Sequence, residues 1–332
     1  MKNLVFIALL AITLTGTAAQ AAEISIVVTV HPLALLLNEI GGDRVAVHVL
    51  VPPGASPHSF EPKPSDLVRV ARADAFLNVG GGLDDWAARL FATAHDDGQP
   101  TAVSSLLGLV GRESLSSDRH AGRADDEHTH GHERGDDPHI WLDPILVQAE
   151  IVPALEALLI RHDPSGEAHY RSRAARFRND LDRLDGEIRQ LLGSEARHYV
   201  AFHNAWRHFA ARYGLEEIAV VQEMAGEEPT PRELGNLVRA ARRAKLRAIL
   251  VEPQLNPRLA QTLSAEFGGT TVLVDPLGDP TDSERSTYRG LLRFNARAFR
   301  LAMMTTSPPS TTPTTPTTPT TPTTPRRTAE DR

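Results

Sequence analysis

Short β-branched runs alternate along the chain with stretches whose apolar residues recur every three or four positions. Ile24 to Val30 is such a run, the pattern of a strand covered on both faces. It ends at His31-Pro32, and Leu33 to Ile40 reads as a helix stopped by Gly41-Gly42. Val45 to Val51 is a second strand, leading into the proline-stiffened loop Pro52 to Pro62. Ser65 is expected to cap a helix through Ala71, Ala75 to Val79 to form a third strand, Asp84 to Ala94 a helix, and Ala102-Val103 to open a short fourth strand. A helix is expected from Asp143 to about Arg161 and another from Asp163-Pro164 to Leu192. In the latter Tyr170, Phe177, Leu181, Leu184 and Ile188 make one narrow apolar stripe among charges, which suits a connector between two lobes.

The rhythm then repeats. Strands are expected at His198 to Phe202, Ile218 to Gln222, Ala248 to Val251 and Thr271 to Val274. The intervening helices run from His203 to Tyr213, from Thr230-Pro231 to Ala244, and from Asn256-Pro257 to Gly268-Gly269, and Ser283 to Met304 is the last. Alternation of this kind predicts an α/β fold with mostly parallel sheets.

Three stretches fall outside the pattern. Lys2, the apolar run Leu4 to Leu14 and Ala19-Gln20-Ala21 have the layout of a cleaved secretory signal, too short to span a bilayer. From about Gly111 to Gly135 the chain is polar and carries His120, His128, His130 and His132; it lacks the apolar surface to offset its ordering entropy, so a mobile loop is expected. Beyond Thr305 a Thr-Thr-Pro repeat favours extended geometry and suits a spacer. The organisation expected is therefore a signal peptide (1–21), a first α/β lobe (22–163), a connecting helix (164–193), a second α/β lobe (194–304) and a low-complexity tail (305–332).

Composition narrows the chemistry. With 35 basic and 42 acidic residues the net charge is −7, which argues against a nucleic-acid partner. Cysteine is absent, so disulfides, thiolate metal sites, thiol nucleophiles and a lipid-anchored N-terminal cysteine are all excluded.

Histidine remains. In Asp136-Asp137-Pro138-His139-Ile140-Trp141-Leu142-Asp143-Pro144, His139 sits in a stiffened loop just before a helix start, because Asp143 suits the N-cap and Pro144 the first helical position. Read from this stretch alone, a metal ligand and a surface histidine beside a buried tryptophan are equally compatible. Ligands of parallel sheets collect beyond the carboxyl ends of the strands. His58 follows the second strand, His203 the strand from His198, and Asp275 the strand from Thr271, while His139 lies ahead of the connector. His208 is five residues from His203 and would point about 140° away on a helix, so it cannot share an ion with it. His31 also ends a strand and stays a possible supporting group; His48, His95, His162, His169 and His198 are read as surface or packed polar residues.

Five stretches together resemble the zinc-binding periplasmic component of ABC metal importers, the cluster A-I solute-binding proteins. They are Pro57-His58-Ser59-Phe60-Glu61-Pro62 with Ser65-Asp66, Asp137-Pro138-His139-Ile140-Trp141-Leu142, Phe202-His203-Asn204-Ala205-Trp206, Glu252-Pro253-Gln254 and Val274-Asp275-Pro276-Leu277. The resemblance covers about Glu23 to Met303. It implies two lobes joined by one long rigid helix with the metal in the cleft, and His58, His139, His203 and Asp275 as ligands of Zn²⁺. It further implies a monomer in the periplasm that delivers the ion to a membrane permease with its ATPase, and no enzymatic activity. The histidine-rich insertion before His139 matches zinc importers of this family; His120, His128, His130 and His132 are expected to form weak secondary sites. Some relatives carry a disulfide in the second lobe, impossible here, and the Thr-Pro tail has no counterpart among them.

Two alternatives stay open at this level. One is a manganese- or iron-binding member of the same family. The other is an exported zinc enzyme, since three histidines and an open position also make a catalytic site; no His-Glu-x-x-His motif is present, however. An exported adhesin or metal buffer is a third class. Because imidazoles coordinate only when neutral, metal affinity is expected to fall as pH drops below about 6.

Overall fold

The structure, a computed structural model, describes residues 24–95, 102–111, 137–193, 198–222 and 229–304. The signal, the histidine-rich stretch with His120, His128, His130 and His132, and the Thr-Pro tail lie outside the described residues.

Strands β1 (Ile24–Val28), β2 (Val45–Val49), β3 (Ala75–Asn78) and β4 (Ala102–Ser105) form one parallel sheet in the order β2-β1-β3-β4. Strands β5 (His198–His203), β6 (Glu216–Gln222), β7 (Ala248–Val251) and β8 (Thr270–Leu273) form a second, in the order β6-β5-β7-β8. Both sheets have the same doubly wound plan, with the order turning round at the strand pairs β1/β3 and β5/β7. Such a turning point leaves a crevice beyond the strand ends, because the flanking loops diverge there.

Parallel neighbours require crossovers, and helices supply them. In the first sheet these are α1 (His31–Gly41), α2 (Pro64–Arg72) and α3 (Trp86–Ala94). The chain then passes through α4 (Val152–His162) and α5 (Glu167–Leu192). The second sheet is wound by α6 (Arg207–Tyr213), α7 (Pro231–Arg243) and α8 (Pro257–Glu266), and α9 (Tyr288–Met304) follows. Helix α5, 26 residues and so about 39 Å long, buries Tyr170, Phe177, Leu181, Leu184 and Ile188, the stripe expected from periodicity. It packs against α1, α4 and α9. One apolar core consequently runs from the first sheet through α5 into the second, while a smaller core around Val200, Phe202, Leu237 and Leu263 fills the far face of the second sheet.

Several elements depart from the sequence reading. Ser65 does not cap α2; Pro64 opens that helix, and Asp66 reaches back to accept from the Lys63 N–H at 2.9 Å. Asp143 does cap the next helix, its Oδ1 accepting from Ile145 N–H at 2.8 Å and Leu146 N–H at 3.3 Å. That helix is not regular, however. Pro153 has no N–H and its ring crowds the carbonyl four residues back, so the chain widens into a π turn over Val147–Ile151 before α4. At the end of the chain, Asp279 and Asp282 bond the N–H groups of Thr281 and Glu284, which holds the backbone in turns and delays α9 to Tyr288. The expected helix from His203 begins only at Arg207, and His203 is the last residue of β5.

The Asp143 cap makes a direct test of this local logic. Asp143→Ala is expected to cost about 1 kcal/mol of stability, read from the midpoint of urea unfolding, with no change in m-value.

Candidate metal centre

Three imidazoles meet where the two sheets face each other. One ligand nitrogen from each of His58, His139 and His203 can be chosen so that all lie within 4.8 Å of one another. The ring centroids are 5.4 Å apart for His58–His203 and for His139–His203, and 6.2 Å for His58–His139. They line a cavity of about 10 Å³ together with the apolar Pro57, Leu255, Pro276 and Leu277 and the polar Ser56, Glu252 and Gln254. That is room for one small ion.

Each ring reaches this point for a local reason. His58 lies in the single turn Pro57–Ser59 after β2; Trp86 fixes that turn by donating its Nε1–H to the Pro57 carbonyl at 2.8 Å. The Gly82 backbone bonds the His58 ring, and its buried Nε2 has no protein hydrogen-bond partner. His139 precedes the turn Ile140–Leu142, and Asp137 Oδ1 accepts both its backbone N–H at 3.0 Å and its Nδ1–H at 2.7 Å. The His139 loop is also tied to the second half of the chain. Trp141 Nε1–H donates to the Pro276 carbonyl at 2.8 Å, Tyr288 Oη–H to the Trp141 carbonyl at 2.7 Å, and His208 Nε2–H to the Asp137 carbonyl at 2.9 Å. His203 ends β5 at the turning point of the second sheet. Ala201 pairs with Leu250 across β5/β7, so two residues further on the parallel register sets Glu252 beside His203. Glu252 Oε2 stands 3.3 Å from His203 Nδ1, and Oε1 accepts from Trp206 Nε1–H at 3.2 Å.

Asp275 is not brought into this group. It is buried, does not line the cavity, and its oxygens are already partnered, one of them by Gln254 of the cavity lining at 3.4 Å. Oδ1 accepts from the N–H groups of Leu277 at 2.9 Å and Gly278 at 3.0 Å, and Oδ2 pairs with Arg285 Nη1 at 2.7 Å. Sequence position placed Asp275 correctly at a strand end, but the tight turn after β8 directs its carboxylate onto its own loop and onto Arg285.

The electrostatics differ from ring to ring. Burial, then the neighbouring His139 and His203 rings, push His58 down to about 3, so it is neutral and free to coordinate at any physiological pH. Burial alone would also lower His203, but the Glu252 carboxylate outweighs it and raises His203 above the usual histidine range. Burial works against ionising Asp137; the adjacent His139 ring overcomes it and holds Asp137 below the usual carboxylate range.

Asp137 and Glu252 are the functional residues that sequence reasoning left without a role. Asp137 stands two residues before a candidate ligand, and Glu252 ends a strand in Glu252-Pro253-Gln254, signals that could have drawn attention to them. Among the histidines set aside, His95 stacks on Phe91 at 4.3 Å and His198 pairs with Glu216 at 3.0 Å, both away from the centre. His31 lies beside the loop of Asp275 and Gly278 with a buried, unpartnered Nε2.

Two parallel α/β lobes, bridged by one long helix and closed over a cluster of imidazoles, define a metal-binding solute-binding protein of the ABC-importer class. The chain belongs to the family described as zinc-uptake complex component A, periplasmic, which matches residues 26–302. It is 29% identical to the manganese-binding lipoprotein MntA of Halalkalibacterium halodurans over 86% of this chain and 90% of that protein. It is 25% identical to the high-affinity zinc uptake system protein ZnuA of Bacillus subtilis, over 87% and 90% of the two chains. The zinc-binding lipoprotein AdcA of Streptococcus pneumoniae is 26% identical over 84% of this chain, which spans 55% of AdcA. Among solved structures, a zinc-bound ZnuA deletion mutant superposes with a TM-score of 0.68 at 28% identity, covering 85% of this chain and 98% of that one.

Proposed function

We propose that the protein captures Zn²⁺ in the periplasm and delivers it to an ABC-type permease and its ATPase, acting as a monomer and not as an enzyme. The observation that carries this reading is the cluster of His58, His139 and His203 around one small cavity. Imidazole nitrogens with few direct oxygen donors suit Zn²⁺, whereas Mn²⁺ prefers carboxylate and water oxygens. The ligands proposed are these three rings. Asp275, the fourth ligand that the resemblance implies, is paired through Oδ2 with Arg285. The family supports transport over catalysis, and no helix among the described residues is long and apolar enough to cross a membrane. The weak sites of the histidine-rich stretch remain a proposal; deleting residues 112–134 is expected to remove them and leave the tight site.

A manganese-binding function is the second reading, favoured by the likeness to MntA. Titration calorimetry with Zn²⁺ and Mn²⁺ at several pH values separates the two. Zn²⁺ is expected to bind more tightly. The pH profile follows from the ring environments. A proton on His203 competes with the metal; since its pKa is raised, affinity is full only above that value and declines as pH falls through it, beginning near or above about 6.5. His58, at about 3, takes up no proton in that window. Tighter Mn²⁺ binding, or an affinity independent of pH between neutral and mildly acid conditions, refutes the zinc reading.

A further inference from the structure

Asp137 and Glu252 are buried acids whose neighbours are the rings of the metal centre. The side chain of Asp137 is 5% exposed and that of Glu252 4%. No arginine or lysine pairs with either among the described ion pairs; Arg285 is held by Asp275, Asp279 and Asp282. Asp137 Oδ2 is moreover buried without any hydrogen-bond partner. Two buried carboxylates with no cationic side chain paired to them are costly unless a positive charge arrives. The third ring, His58, is held by the neutral Gly82 backbone instead.

We propose that Asp137 and Glu252 are positioning residues of the metal site, each accepting the Nδ1 proton of one ligand ring so that the bare Nε2 faces the cavity. Together they carry the two negative charges that balance a divalent cation whose direct donors are neutral. This rests on the reading of His58, His139 and His203 as the metal's ligands. The geometry is specific. Asp137 Oδ1 stands 2.7 Å from His139 Nδ1, and Glu252 Oε2 stands 3.3 Å from His203 Nδ1. A carboxylate can only accept, so the ring nitrogen opposite it must carry the hydrogen, and the other nitrogen is left with its lone pair. The negative charge is thus carried by groups bonded to the ligand rings, Glu252 among the residues that line the cavity. The centre can remain three-nitrogen in its direct donors, as Zn²⁺ prefers, while the pocket as a whole is neutral once loaded.

A purely structural role is the rival account, since Asp137 also accepts the His139 backbone N–H and Glu252 the Trp206 indole N–H. The amide variants Asp137→Asn and Glu252→Gln separate the two. Glu252→Gln must keep its oxygen on the Trp206 indole N–H, so its –NH₂ turns to His203 Nδ1 and drives that ring into the tautomer with hydrogen on Nε2, where the metal must bind. Asp137→Asn can keep one oxygen on both the His139 backbone N–H and Nδ1–H, and so removes the charge while leaving the tautomer in place.

The experiment is a long-range ¹H–¹⁵N imidazole correlation on the metal-free full chain, well above the histidine titration range, with Zn²⁺ competition titrations on the same samples. In the wild type, His139 and His203 are expected as Nδ1–H tautomers. His203 is expected to switch in Glu252→Gln, whereas His139 keeps its tautomer in Asp137→Asn and loses only the charge behind it, with Zn²⁺ affinity about 10- to 100-fold lower in each. An Nε2–H tautomer at His139 or His203 in the wild type overturns the proposal. So does Zn²⁺ affinity within about twofold of wild type in the variants. The two substitutions lie on separate elements, so either alone suffices if the other fails to fold, and the wild-type tautomers decide the matter if both fail. A wild type that binds no Zn²⁺ while showing both tautomers overturns the ligand reading, and with it the charge-balancing role.

Discussion

His58→Ala is expected to lower Zn²⁺ affinity by about 10²- to 10³-fold. A structural zinc site of four ligands contributes about 10–16 kcal/mol, hence about 3–4 kcal/mol for each ligand, and every 1.4 kcal/mol is a factor of ten. His58 is the cleanest of the three rings to remove. Its Nε2 has no protein partner, and its turn is held independently by the bond from Trp86 to the Pro57 carbonyl. The substitution therefore leaves no buried charge stranded, and the metal-free protein should unfold with nearly the wild-type midpoint. His139→Ala is expected to lower affinity to the same degree but also to cost stability, because Asp137 loses its Nδ1–H donor. His95→Ala, remote from the centre, should leave affinity unchanged. Competition against a chromophoric chelator measures all three. Wild-type affinity in both His58→Ala and His139→Ala would remove the site assignment.

The largest effect on stability is expected at Trp141. Its side chain is fully buried, and both its indole and its carbonyl bond across to the second half of the chain, to Pro276 and Tyr288. Trp141→Ala is expected to cost about 3–5 kcal/mol through the lost burial and the cavity left behind. That is a large share of a typical total of about 5–15 kcal/mol. Trp141→Phe keeps most of the apolar surface but leaves the buried Pro276 carbonyl without its donor, a loss of about 1–3 kcal/mol. Zn²⁺ affinity should fall as well in Trp141→Ala. The His139 ring lies 5.2 Å from the indole, and its loop would lose the contacts that hold it against the second lobe. Guanidinium unfolding of the metal-free protein tests the first effect. A loss below about 1 kcal/mol for Trp141→Ala would show that the loop is held by something else.

The bonds of this loop also bear on how a metal could be enclosed. His139 precedes the long helix in sequence, yet Trp141 and Asp137 beside it are gripped by Pro276, Tyr288 and His208 from beyond it. The His58 ring is held by loops of the first sheet, through Gly82 and the Trp86–Pro57 bond, and the His203 ring by Glu252 at a strand end of the second.

What the amino-acid order determined by itself was everything governed by local period and local chemistry. The β-branched runs, the apolar stripe of α5 and the Asp143-Pro144 helix start were legible because burial on two faces, helical periodicity and backbone capping act within a few residues. His58, His139 and His203 were legible for a related reason: each adjoins a strand end or a helix start that the pattern had already located. Boundaries were less legible. Pro153 widening a helix into a π turn, and the Asx turns that delay α9, are contests between a side chain and the backbone ladder that periodicity does not weigh. Only the tertiary structure decided which donors face one another. Asp275 ends a strand as clearly as His203 does, but the turn after β8 and Arg285, ten residues downstream in sequence, draw its carboxylate away. Glu252 sits 49 residues from His203 and meets it only because β5 and β7 are neighbours in a parallel sheet. Pairing across a sheet, and the direction in which a buried charge turns, depend on contacts distant in sequence, and those exist only once the chain has folded.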